Sequence, residues 1–181
     1  MLLIMLPAQW TFIADEQSFL IVNNLRSLLE NSNFKESVIF GRVLKPRTIF
    51  SYLFPFFSYE RVSVQAGVVF SYKAIESLSR CRGHFFPRST ETALFLCSKE
   101  HDVRIISPVD EDGMHLFHGN DLKTLIPSAY RNKNGVKIKV TSQLTACCCS
   151  DHSVAFGQMT YKDIRLAHFA SSTWRVFGQA G

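Results

Sequence analysis

Apolar residues fall in short runs of strand length, separated by stretches in which they recur every three or four positions. Residues 9–14, around Trp10, Phe12 and Ile13, predict a strand. From residue 18 to residue 30, Phe19, Val22, Leu25 and Leu29 share one face at the helical period, which predicts an amphipathic helix. Residues 37–44 predict a second strand, ended by Lys45 and Pro46. Residues 48–60 form a loop crowded with Phe and Tyr, and residues 62–71 a third strand in which Gly67 allows close backbone approach. Short helices are predicted over 73–80 and 90–99, and a strand over 103–107, followed by the acidic turn Asp110-Glu111-Asp112-Gly113. A turn at 132–135 leads into 136–141, which alternates like an edge strand, and 153–159 reads as a further strand. Thr160 and Asp163 form an acidic variant of a capping box. They open a last helix with Ile164, Ala167, Ser171 and Trp174 on one face and Gly178 at its end. This alternation of strands and helices predicts a single α/β domain over residues 1–181.

Composition narrows the function classes. A hydrophobic content of 46% and a mean hydropathy of +0.05 exclude a disordered chain, and 16 Phe imply a thick aromatic core or an unpaired apolar surface. Phe50, Tyr52, Phe54, Phe56, Phe57 and Tyr59 fit either a half-buried segment or an exposed strand that docks a client protein. The net charge of +5 is carried by scattered Lys and Arg, with no run that tracks a phosphate backbone, so no nucleic-acid partner is expected. No stretch reaches the roughly 18 to 20 apolar residues of a membrane span. Residues 1–6 are apolar but stop at Pro7 and lack the basic flank of a signal peptide. They read as a buried strand or as the start of a truncated chain. Cys147, Cys148 and Cys149 have no second Cys or His pair to complete a zinc tetrahedron, and His101, His115 and His118 lack zinc spacing and a fourth ligand. His152 follows Asp151 and is a minor candidate for the neighbourhood of a metal position.

The chemistry-bearing candidate is the turn Asp15-Glu16-Gln17, where an apolar strand runs into an acidic pair and then into an amphipathic segment. Sugar-nucleotide glycosyltransferases place a metal-binding Asp-x-Asp at such a turn. A hard divalent cation wants anionic oxygens, and residues i and i+2 of an extended segment point to the same side. Asp15 and Gln17 would share one site; the Gln17 amide can accept a ribose hydroxyl but neutralises no charge. The alternative is an ordinary acidic pair at a helix start, favoured by the helix dipole.

Residues 14–19, together with Asn24-Leu25, resemble the metal-site segment of the core-1 β3-galactosyltransferases, which add galactose to O-linked GalNAc on glycoproteins. The similarity continues in order. Phe40-Gly41-Arg42 with Lys45-Pro46 resembles the next strand of the family, and residues 64–71 its glycine-rich acceptor-side strand, with Gln65, Ala66 and Gly67 on the acceptor side. Cys148-Cys149-Ser150-Asp151 followed by Val154-Ala155-Phe156 is similar to its C-terminal signature, and Arg175-Val176-Phe177-Gly178 to its closing segment.

This resemblance implies a GT-A-like mixed sheet flanked by helices, of which the chain is the C-terminal part, without the strands that cradle uridine. It also implies an endoplasmic reticulum or Golgi location, with a type II membrane anchor lying outside this chain. Active members use manganese and UDP-galactose. A second kind in the family, the chaperone Cosmc, shares the fold, lacks the metal motif and helps the transferase fold. The resemblance implies Asp15 as a metal ligand with Glu16 and Gln17 in the cofactor segment. Gln17 replaces a carboxylate ligand and Gly157 stands where active members carry a ligating His. Gln65 fills acceptor space, and Glu91 falls at the position of the general base. Cys81 and Cys97 correspond to a paired disulfide of the family; two buried thiols are the alternative. These departures favour a non-catalytic, Cosmc-like protein with no cofactor, whose partner is the core-1 galactosyltransferase. The other reading is an active transferase acting on a glycoprotein, with Asp15 holding the metal and Glu91 as base.

Overall fold

The structure is a computed structural model that describes residues 8–45, 60–81, 89–121, 125 and 149–173. The described residues form a mixed α/β arrangement of nine short strands and four helices. The central sheet contains β1 (Trp10–Ile13), β3 (Val38–Phe40), β6 (Val68–Ser71) and β7 (Arg104–Ile106) in the order β1-β6-β3-β7. β6 runs antiparallel to both of its neighbours, and β3 and β7 are parallel. A second sheet joins β2 (Phe19–Leu20), β9 (Ala155–Phe156) and β8 (Phe117–His118), and β4 (Arg42–Leu44) pairs antiparallel with β5 (Arg61–Ser63).

Side-chain alternation along the central strands divides the core into two layers. Val38, Phe40 and Val69 pack on one face with Leu116, Phe117, Val154 and Ala155, covered by Leu25, Leu28 and Leu29 of α1 (Val22–Glu30). Ile39, Val68 and Phe70 point to the other face. There they meet Ala74 of α2 (Tyr72–Leu78) and Phe95 of α3 (Thr90–Glu100), with Val62 and Val103. The buried polar residue at the centre is Ser71, which is fully buried. Its hydroxyl accepts the N–H groups of Val38 (3.1 Å) and Ala74 (3.0 Å) and donates to the Glu36 carbonyl (2.7 Å). It therefore caps α2 and fixes the entry into β3 together. Ser89 caps α3 through the Thr92 N–H.

The helix predicted from residue 18 starts at Val22. Phe19 and Leu20 pair with Phe156 and Ala155 instead, so a tertiary strand partner overrides the local period. Val22 is 48% exposed, whereas Leu25 and Leu29 pack against the core as the period predicts, joined by Leu28. The strand predicted over 37–44 is split at Gly41, where a Cβ would lie 3.3 Å from Val62. The strand predicted over 62–71 is interrupted by a turn closed by the Gly67 N–H to the Val64 carbonyl at 3.0 Å. Gly67 has a φ of +77°, and a Cβ there would run into the Phe12 ring, so this is a position where only glycine fits without strain. The predicted strand over 153–159 shortens to Ala155–Phe156, and β8 was not anticipated.

The last helix, α4 (Tyr161–Thr173), opens as predicted: the Thr160 hydroxyl donates to the Asp163 carboxylate at 2.6 Å and accepts the Asp163 N–H at 3.4 Å. Tyr161, Leu166 and Phe169 on it are more than half exposed. Trp174 and Gly178, the aromatic segment from Phe50 to Tyr59, the stretch over 132–141, Cys147 and Cys148 lie outside the described residues. No described helix is long and apolar enough to cross a membrane.

Cys81 and Cys97 are disulfide-bonded, as the resemblance implies, with Cα atoms 6.0 Å apart. The bridge ties the end of α2 to α3. Its 16-residue separation is worth about 3 kcal/mol in unfolded-state entropy. Replacing both cysteines with serine should lower the urea unfolding free energy by about that amount; an unchanged midpoint and slope would show that the bridge adds nothing.

Candidate functional site

Three of the segments singled out in the sequence meet at one end of the central sheet. After β1 the chain turns at Asp15, whose Oδ1 accepts the Gln17 N–H at 3.1 Å. The Ser18 hydroxyl lies 2.6 Å from the same oxygen and 3.0 Å from the carbonyl oxygen of Gln65. The Gln17 carbonyl in turn accepts the Met159 N–H at 2.9 Å. The Asp15 turn, the Gln65-Ala66-Gly67 turn and the Gly157 region are thus stitched together. Asp15, Glu16 and Gln17 are exposed, whereas Ala66, Gly67 and Gly157 are buried.

Gly157 is not an open position. A Cβ built there would strike the carbonyl of Gln65 and lie 3.2 Å from the Ala66 nitrogen. The backbone of the 65–67 turn occupies the space in which a side chain at 157 would begin. The donor set left for a hard cation is the Asp15 carboxylate, with an oxygen already committed to its own turn, the Gln17 amide and the adjacent Glu16 carboxylate. These residues do not fit a manganese–diphosphate site, which needs clustered anionic oxygens to offset the charge of the ion.

Glu91 sits in the first turn of α3, beneath the same region. Its Oε1 accepts the Val64 N–H at 3.3 Å, and its Oε2 lies 3.9 Å from Arg61 Nη1. Its carboxylate braces the start of the 64–67 turn. That binding role is compatible with the position assigned to a base but uses both of its oxygens structurally.

A second concavity, of about 440 Å³, opens between Asn24, Ser27 and Leu28 of α1, the acidic turn, and residues 149–152. Asn24 Nδ2 holds the last segment by donating to the carbonyls of Ser153 (2.8 Å) and Asp151 (3.3 Å). Asp110 is the organiser of the acidic turn. Its Oδ1 accepts the N–H groups of Met114 (2.7 Å) and Asp112 (3.0 Å). The Ser150 hydroxyl, foremost, and then these amides hold the Asp110 carboxyl below its usual range. His152 lines this cleft beside Asp110.

The histidines separate into distinct environments. His118 is 2% exposed, stacks on Phe156 at 4.9 Å and has its Nε2 3.0 Å from the Ser153 hydroxyl. Ser153 donates its proton to the Ser150 carbonyl at 2.6 Å, so His118 donates to Ser153. A hydroxyl whose proton is committed to a backbone carbonyl is not poised for nucleophilic attack, and the pair is structural. Burial, reinforced by the positive charge of Arg42 and by His115, pushes the His118 imidazole down to about 4.

His101 is partly buried. Its Nε2 is buried without a hydrogen-bond partner, and the residue groups with Cys81 and Cys97. The spacing Cys97-x-x-x-His101 on a helix is the signal that could have revealed this grouping in the sequence. Cys149 is also disulfide-bonded. No protein-family model matches the chain.

Gly157→Ala should lower the unfolding free energy by about 1–3 kcal/mol, the scale of overpacking, in urea denaturation. An unchanged stability would mean that the 65–67 turn yields easily. His118 predicts an acid dependence of stability. Its folded value lies below the ordinary 6.5, so the fold favours the neutral ring. The stability this contributes is complete above about pH 6.5 and is lost as pH falls toward about 4, by about 3 kcal/mol in all. Urea titrations across that window should show a steeper loss in the wild type than in His118→Gln; parallel curves would remove His118 as the cause.

Proposed function

We propose that the chain is a non-catalytic relative of the core-1 β3-galactosyltransferases, built on a GT-A-like mixed sheet and acting as a Cosmc-like folding partner of the transferase. The observation that carries this reading is the state of the Asp15 turn. The Asp15 carboxylate closes its own turn, position 17 offers a neutral amide, and Gly157 is walled by the Gln65 backbone. Galactosyl transfer from a sugar nucleotide needs a Lewis acid or other positive group that offsets the negative charge developing on the diphosphate leaving group. The residues gathered here supply little of it.

Other features support work by contact. Tyr161, Leu166 and Phe169 on α4 expose apolar side chains, and large apolar side chains turned to solvent suit protein partners. The Cys81–Cys97 bridge suits a protein that matures in an oxidising compartment, such as the lumen of the endoplasmic reticulum or Golgi. In this reading the partner is the core-1 galactosyltransferase and no cofactor is required.

Equilibrium binding of UDP to the purified chain, with and without manganese, tests the first half of the proposal. No saturable manganese-dependent binding is expected; saturable binding would return Asp15 and Glu91 to the roles of metal ligand and base. Denatured core-1 galactosyltransferase refolded with the chain should recover more activity than with an unrelated protein of equal charge. Equal recovery would overturn the partner role while leaving the absence of catalysis standing.

A further inference from the structure

The junction of α2 and α3 brings together three soft ligands. Cys81 follows α2, its N–H held by the Leu78 carbonyl at 3.0 Å. Cys97 lies in the last turn of α3, and His101 caps that helix, its N–H donating to the Cys97 carbonyl at 3.1 Å. Four residues apart on a helix, Cys97 and His101 stand on the same face. The two sulfurs and a ring nitrogen of His101 all lie within 4.8 Å of one another. A tetrahedral zinc ion with bonds of about 2.0–2.3 Å sets its donor atoms about 3.3–3.8 Å apart, so the cluster is already near that scale. Independently, His101 Nε2 is buried and unpartnered, and a buried imidazole nitrogen without a partner loses its hydration for no return.

We propose that reduction of the Cys81–Cys97 disulfide opens a three-ligand zinc site formed by Cys81, Cys97 and His101. In the oxidised chain each sulfur is bonded to the other and neither is a thiolate. A dithiol reductant transfers two electrons and two protons to the bridge, giving two thiols while the reductant becomes its own disulfide. Zinc then displaces both thiol protons and binds two thiolates and the neutral imidazole, with water at the fourth position. Thiolate and imidazole donors select zinc over magnesium, calcium or manganese. The helix junction is thereby cross-linked covalently under oxidising conditions and through the metal under reducing ones.

Cobalt titration of the full chain, followed by zinc competition, tests this. The phosphine-reduced chain should take up a single ion with a thiolate-to-cobalt absorption band, and the oxidised chain should show none. His101→Ala should weaken zinc binding at least about tenfold, the scale on which even outer-sphere partners matter. His101→Cys, which restores a soft donor, should keep it. Replacing Cys147, Cys148 and Cys149 by serine should leave the cobalt band of the reduced chain in place; its loss would assign the ion to those cysteines and overturn the proposal. The proposal is overturned by a missing band in the reduced chain, by a band that survives Cys81→Ser/Cys97→Ser, or by His101→Ala and His101→Cys behaving alike. Circular dichroism on the same samples guards against simple unfolding: helix lost on reduction and not regained with zinc also overturns it.

Discussion

The structure depends on the close packing of one turn, residues 64–67, against the strands around it. Gly67 lets the backbone come down on the Phe12 ring, and the Gln65 carbonyl lies against Gly157 and accepts from Ser18. Beneath it, Glu91 takes the Val64 N–H. Through these contacts the turn links the central sheet, the β2-β9-β8 sheet and α3. Glycines at 67 and 157 are needed because backbone meets backbone or an aromatic ring there, at distances that leave no room for a Cβ.

The carboxylates that a reader would first assign to chemistry are occupied in the same manner. Asp15 closes its turn through Gln17 and Ser18, Asp110 gathers Ser150, Met114 and Asp112, and Glu91 braces Val64 beside Arg61. An exposed or half-buried carboxylate that accepts backbone N–H groups offsets their desolvation and orders a loop. For Asp110 these bonds also hold the carboxyl below its usual range. The proposed loss of catalysis rests on how these negative charges are used as much as on their number.

Much of this was legible in the chain. The apolar runs around Val38 and Val68 mark the central strands because burial on both faces demands continuous apolar residues, and the run around Trp10 marks the half-buried edge. The Thr160–Asp163 cap and the starts of the α2 and α3 helices follow from local chemistry. What was not legible depends on partners distant in sequence. Phe19 and Leu20 carry a helical period, yet Ala155 and Phe156, more than a hundred residues on, draw them into a ladder. β8, only two residues long, has no period of its own and exists because β9 lies beside it. Asp15 and Gln65 could be picked out as candidates, but the contact between the Gln65 backbone and Gly157 appears only when two turns, some ninety residues apart, are folded together. The Cys97–His101 pair was hidden for another reason. Its helical spacing was present, but the third side chain, Cys81, lies beyond the end of the preceding helix.

The packing at Gly157 also bears on how such a protein changes over generations. Because the Gln65 backbone fills the space at position 157, a side chain there is seated only if the 64–67 turn gives way. Such a shift would involve the turn's own glycine and its brace from α3. Substitution at 157 is therefore coupled to the backbone of a segment some ninety residues away.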